Sequence, residues 1–258
     1  MTSMPPAMTP LLATLVRDGD GASLVLVPSV GTTPLGLVRL ARAIVPRRVV
    51  HSFAYAGVED DAPPHRTIGE MASAYVAELV ARVPRGPYLL GGHCLGGVVA
   101  LAMALELEAR GLAVERLVVA DSIPPLFDDI APGRGAAAVA GAAAPALEEH
   151  FRTVVEEVVR RTLASMPALE PAQFVRLAEV VAIHVDAGVA FRARALRAPV
   201  DVLRTAGFPD ATLQGWARIA GGGLARHDVP GDTFSMLKPP HVDAVGRILG
   251  GVLQAGAR

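Results

Sequence analysis

The sequence predicts an α/β fold: a mostly parallel, doubly wound sheet with a helical lid inserted into it. Three observations lead there. Short apolar runs rich in β-branched residues alternate with stretches of helical period along the first half of the chain. A glycine-rich turn, Gly91-Gly92-His93-Cys94-Leu95-Gly96-Gly97, stands between a strand-like and a helix-like stretch. From residue 124 to about 197 the alternation stops, and helical patterns follow one another without a strand candidate. At 258 residues the chain is long enough for one such domain with a sizeable core. We read residues 1–9 as a linker and 10–258 as a single domain, with the lid over about 126–197.

Taken in order, residues 22–28 (ASLVLVP) form a buried strand, followed by a Gly/Thr/Pro loop and a helix over 37–44. Residues 49–53 are the next strand. Thr67-Ile68-Gly69-Glu70 then has the spacing of a capping box and starts a helix running to about Val83. A strand over 87–91 enters the glycine turn, and a helix over 98–109 leaves it. Residues 116–121 form a further strand with Asp121 at its C-terminal end, where open α/β sheets place their sites. Within the lid, residues 135–145 are Ala-, Gly- and Pro-rich and read as a flexible connection, followed by helices over 147–164 and 171–195. Strands return at 200–204 and 225–229, and a helix over 241–253 closes the chain.

Composition narrows the partners. Lys and Arg total 24 against 25 Asp and Glu, so no basic field is present to attract nucleic acid or an anionic membrane surface. One cysteine excludes an internal disulfide, and MTSMPPAMTP lacks the basic start and apolar run of a signal peptide. No apolar stretch approaches the roughly 20 residues that cross a bilayer. The chain is therefore expected in the cytoplasm. No G-x-G-x-x-G follows the first strand, no Walker loop is present, and the histidines lack metal-ligand spacing such as H-x-x-x-H. Neither a cofactor of its own nor a metal is expected.

The chemistry centres on Gly92-His93-Cys94-Leu95-Gly96, a G-x-C-x-G in the frame that usually carries serine in the nucleophile elbow of α/β-hydrolases. Glycines at both ends lack the Cβ that would clash where strand and helix nearly touch. Cys94 then sits at a helix N-terminus, where exposed N–H groups and the dipole are expected to lower a thiol pKa. Such folds order their triad as nucleophile, acid, histidine. Asp121, at the end of the next strand, fits the acid that orients an imidazole. The plainer alternatives are a buried, inert Cys94 and an Asp121 that merely caps a turn.

The chain resembles the thioesterase domains of nonribosomal peptide and polyketide synthetases, an α/β-hydrolase family, in a variant with a cysteine nucleophile. The resemblance is carried by the run Pro87 to Gly97, by Pro64-His65-Arg66-Thr67-Ile68, by Asp121-Ser122-Ile123-Pro124-Pro125, and by Val229-Pro230-Gly231-Asp232-Thr233-Phe234-Ser235-Met236-Leu237. It implies release of an acyl or peptidyl chain from the phosphopantetheine arm of a carrier protein through an acyl-enzyme on Cys94. The cofactor-like arm belongs to the partner. The resemblance also makes the loop 28–32 the source of one oxyanion N–H, from Val30, with the other from Leu95.

Two departures are linked. Cys94 replaces the family's usual serine, and Thr233 occupies the position of its usual histidine within V-P-G-D-T-F-S-M. Threonine cannot act as a base near neutral pH, so another base must serve or catalysis is lost. His51, His65, His93 and His150 read as bystanders. His184, near the end of the lid where the returning helix of this family nears the active-site mouth, is the first candidate base, His241 the second and His227 the third. A thiol, with an ordinary pKa of about 8.5, needs less help to attack than a hydroxyl. Its acyl thioester also stays activated and favours amines over water. In this family cysteine variants are associated with release as strained four-membered lactams or lactones. Cyclising release in antibiotic-type biosynthesis is therefore the leading reading. A hydrolytic or editing thioesterase, and a degenerate fold kept for carrier docking, are the alternatives.

Overall fold

The computed structural model describes residues 10–127, 160 and 170–255. Nine strands appear among them: β1 (Leu12–Val16), β2 (Leu24–Val27), β3 (Val50–Phe53), β4 (Tyr88–His93), β5 (Val114–Ala120), β6 (Leu126–Phe127), β7 (Arg192–Ala193), β8 (Val200–Thr205) and β9 (Leu224–Val229). The helices are α1 (Val38–Ala43), α2 (Ile68–Arg82), α3 (Leu95–Ala109), α4 (Pro171–Ala190), α5 (Ala211–Ile219) and α6 (Val242–Ala255). Seven strands form one sheet in the order β1-β3-β2-β4-β5-β8-β9. Every pairing in it is parallel except β1 with β3. The predicted α/β class with a mostly parallel sheet is the observed one.

The central strands are continuously apolar because both faces are covered. All six residues of β4 are buried. On one face α2, α3 and α4 contribute to a core that includes Met71, Leu79, Val99, Leu101 and Val181. On the other, α1 and α6 close over Leu24, Leu89, Val118 and Leu203. Helix α3 is buried on nearly every side, as befits a helix flanked by both sheet and other helices.

Several boundaries moved for physical reasons. Helix α2 begins as expected: Thr67 Oγ1 accepts from the Glu70 N–H at 3.1 Å, but the Glu70 carboxylate returns to the Arg66 N–H at 2.7 Å, one residue before a standard box. Strand β1 was not anticipated. It is an edge strand whose leading N–H groups, of Leu11 and Leu12, are held at 2.9 and 3.2 Å by the Glu78 carboxylate of α2, a contact made by tertiary packing. Helix α5 was also missed. Trp216 within it is fully buried, and its indole N–H donates to the Ser122 carbonyl at 2.8 Å, which pins the segment after β5. Helix α4 ends at Ala190 rather than 195, giving way to β7.

The expectation of no strand between 124 and 197 is corrected. Strands β6 and β7 pair in parallel, Leu126 with Arg192 and Phe127 with Ala193. The 135–145 connection and most of the 147–164 helix, with His150, lie outside the described residues.

Candidate active site

Cys94 joins β4 directly to α3, with no loop between strand and helix. It takes φ 54° and ψ −124°, a conformation costly for a residue with a Cβ and one of only two left-handed non-glycine residues among those described. Its N–H donates to the Ala120 carbonyl at 3.0 Å, which extends the β4–β5 ladder one residue into the turn. The second left-handed residue is Asp121, φ 38°, whose N–H likewise donates to Leu203 of the next strand at 3.0 Å. Two adjacent strands thus end in the same way and bring Cys94 and Asp121 to one edge of the sheet.

Gly92 and Gly96 are required by close approach. A Cβ on Gly92 would lie 2.1 Å from the Gly96 carbonyl oxygen, and one on Gly96 would lie 2.2 Å from the Val27 oxygen and 2.4 Å from that of Pro28. These partners are backbone atoms and cannot swing aside. Gly96→Ala is therefore expected to cost about 3 kcal/mol or more, read as a lowered denaturation midpoint. The same contact sets the 28–32 loop against the first turn of α3. In that loop the Thr32 hydroxyl and N–H donate to the Ser29 carbonyl at 2.6 and 3.2 Å, and the Tyr55 hydroxyl donates to Pro28 at 2.8 Å. Val30 is buried within the turn so formed.

Asp121 is buried and well supplied with donors. Its Oδ1 accepts from the Thr205 N–H at 2.9 Å, and its Oδ2 from the hydroxyls of Thr205 at 2.6 Å and Thr233 at 2.8 Å. Thr233 therefore stands where the motif puts it, aimed at the carboxylate. The loop is held in shape by Asp232, whose Oδ1 accepts from the N–H groups of Phe234 and Ser235 at 2.9 and 2.8 Å. The position at which the family resemblance expects a histidine holds a hydroxyl.

The thiol does not behave as the helix dipole alone suggests. Cys94 is partly exposed, yet desolvation is the largest influence and pushes its pKa above the ordinary thiol value. Hydrogen bonds from the Ser29 side chain and the Leu95 backbone oppose that rise, and the Asp121 charge adds to it. The expected lowering is thus corrected: removing water from the sulfur outweighs the N–H groups aimed at it. Ser29, buried in the 28–32 loop, is a contact of Cys94 that sequence reasoning missed; a hydroxyl one residue before Val30 is the signal that was available.

The histidines sort differently from expectation. His184 is fully buried in α4, against the Tyr55 ring with centroids 4.9 Å apart, and neither ring nitrogen has a hydrogen-bond partner among the described residues. Burial first, and then the neighbouring His65, push its pKa down to about 4. One turn earlier on the same helix, Val181 packs against the 28–32 loop, where it would meet a Cβ on Gly31 at 2.7 Å. Hydrogen bonds from His184 to Cys94 or Asp121 are absent. Arg176 latches α4 down, donating to Asp61 at 2.6 Å and to the Gly57 and Ala62 carbonyls, each at 3.2 Å. His227 is taken up elsewhere: its Nε2 lies 2.7 Å from Asp201, which Arg116 also binds. His241 packs at the start of α6 against Gly231, two residues from Thr233. His93, set aside in the sequence, is buried beside the site. Burial lowers its pKa, while the Asp121 carboxylate and a hydrogen bond to the Thr233 backbone act against that, and its Nε2 is unpartnered.

The sequence pattern of the family described as "Thioesterase domain" matches residues 22–252, most of the chain. The chain belongs to this thioesterase family. The family gives it a thioesterase activity on an α/β-hydrolase fold, and solved relatives share the architecture. The NocB thioesterase domain from the nocardicin cluster is 27% identical, with a TM-score of 0.69, over 93% of this chain and 99% of that one. The Vlm2 thioesterase domain bound with a dodecadepsipeptide is 26% identical, with a TM-score of 0.69, over 92% of this chain and 97% of that one. Among curated proteins, the indigoidine synthase of Dickeya dadantii is 26% identical over 92% of this chain, and the non-reducing polyketide synthase PKS1 of Zymoseptoria tritici 30% over 68%. The thioesterase domain spans only 17% and 8% of those two synthetases. Among its described residues, no helix is long and apolar enough to cross a membrane, and no cluster of His, Cys, Asp and Glu could hold a metal ion.

Proposed function

We propose that this thioesterase domain takes a peptidyl or acyl chain from a carrier-protein phosphopantetheine thioester onto Cys94 and releases it by intramolecular attack. The Cys94 sulfur adds to the thioester carbonyl, and the oxygen charge is taken by the N–H groups of Val30 and Leu95. The carbon–sulfur bond to the arm breaks, and the departing arm takes up the proton that Cys94 lost. A nucleophile within the chain, an amine or hydroxyl, then attacks the Cys94 thioester. Its proton passes to the base, its bond to the carbonyl forms, and the Cys94 sulfur leaves.

The observation that carries this reading is the pairing of a cysteine in the strained elbow with Thr233 on Asp121. A hydroxyl bonded to that carboxylate cannot draw a proton from water where the usual histidine would. The acyl thioester is thereby spared hydrolysis and kept activated for ring closure, a strained four-membered lactam or lactone included. His184 is the proposed base, ahead of His241 and His227, and His93, whose pKa burial lowers while the Asp121 carboxylate acts to raise it, is a further candidate.

Incubation with a peptidyl thioester of a carrier should add the acyl mass to the protein, the adduct should vanish in Cys94→Ala, and a cyclised product should accumulate. Free acid as the sole product would overturn cyclisation and favour the hydrolytic alternative. Absence of any adduct would leave only a docking role.

A further inference from the structure

A second feature lies at the same end of the sheet as Cys94. The oxyanion loop leads into a short 3-10 turn, Pro34–Leu37, which carries Leu35 out to 73% exposure. Helix α1 follows, with Arg39 and Arg42 exposed three residues apart and so on one side of it. From the opposite direction, the loop that carries Thr233 runs on through the exposed Lys238, Pro239 and Pro240 into α6. Between the two lies an open groove of about 610 Å³, lined by Leu35, Val38, Arg39, Arg42, Pro239 and Asp243 among others. Its walls continue from the two loops that hold the oxyanion N–H and Thr233.

The charges in the groove are not balanced from within. Some arginines elsewhere meet acids, Arg47 with Asp18, Arg82 with Glu78, Arg176 with Asp61 and Arg226 with Asp228. Among the described residues neither Arg39 nor Arg42 has an ion-pair partner, nor has Lys238 on the rim. Asp243 is the one acid in the lining. On a chain whose net charge is −1, this is a local cationic excess beside an exposed leucine and two exposed prolines. Such a surface fits a partner that presents carboxylates around an apolar contact.

We propose that this groove is the docking surface for the carrier domain, acidic side chains of the carrier meeting Arg39 and Arg42 and an apolar one meeting Leu35. The assignment rests on the function proposed above. Docked there, the carrier stands at the mouth between the 28–33 and 230–241 loops, and its thiol arm enters toward Cys94 between them.

The test compares one acyl group on two leaving groups, the carrier and N-acetylcysteamine. In Arg39→Glu/Arg42→Glu, KM for the carrier-borne substrate should rise about tenfold or more with kcat little changed. Turnover of the small thioester should stay at the wild-type rate. Raising salt should weaken the wild-type KM for the carrier substrate and leave the variant flat. Leu35→Asp should act in the same direction without altering arginine. An unchanged carrier KM in both variants would overturn the docking surface and leave the proposed function standing, and so would an equal loss on both substrates. A wild-type protein that consumes the small thioester but no carrier-borne one would overturn both.

Discussion

Cys94→Ser is expected to lower release from a carrier-borne thioester by roughly a thousandfold or more. The Cys94 thiol already lies above the ordinary thiol range, because desolvation outweighs the bonds from Ser29 and Leu95. A serine hydroxyl in the same place needs a strong base beside it. The position at which the resemblance expects one holds Thr233, which donates to Asp121 at 2.8 Å and has no lone pair basic enough for the task. Serine is thus the conservative change in shape and the severe one in chemistry. Adding Thr233→His to Cys94→Ser should recover turnover and shift the product toward free acid, because an imidazole on Asp121 activates water. Product ratios by mass spectrometry and single-turnover rates check both. A Cys94→Ser protein as fast as the wild type would show that the thiol has no special part.

His184→Gln is expected to lower release by about 10²–10⁴-fold, the range of a lost general base. The same substitution has a signature in stability that needs no substrate. Folding holds the His184 pKa near 4 against an ordinary 6.5. Between those values the unfolded chain binds a proton that the folded one refuses. Stability is therefore complete above pH 6.5 and falls as pH drops toward 4, by up to about 3 kcal/mol from this one group. Denaturant titrations across that window should show a steep slope in the wild type and a shallower one in His184→Gln. Desolvation raises the Cys94 pKa, so alkylation of Cys94 should climb with pH beyond the ordinary thiol range. Release that survives His184→Gln but fails in His93→Gln would move the role of base to His93.

The legibility of this molecule in its sequence followed the range of the forces involved. The central strands and the elbow were readable because their causes are local: β-branched runs buried on both faces, and two glycines where backbones nearly touch. Asp121 was readable from its place at a strand end, and Thr233 from the motif around it. Strand β1, helix α5 and the β6–β7 pair were not readable. Each depends on partners far along the chain, Glu78 for β1, Ser122 for α5, and residue 126 against residue 192 for the pair. The thiol was misjudged for a similar reason. A helix N-terminus is visible in sequence, whereas the desolvation that overrides it comes from packing. His184 lies on the helix expected for it, but its complete burial against Tyr55 had no signature in the alanine-rich run around it.

The short β6–β7 ladder has an architectural consequence. It closes the chain on itself where the strand series is left and where it resumes, Leu126 beside Arg192. Helix α4 enters that ladder already tied to Gly57, Asp61 and Ala62 through Arg176, so the return to the sheet is held at two separate points, one of side chains and one of backbone.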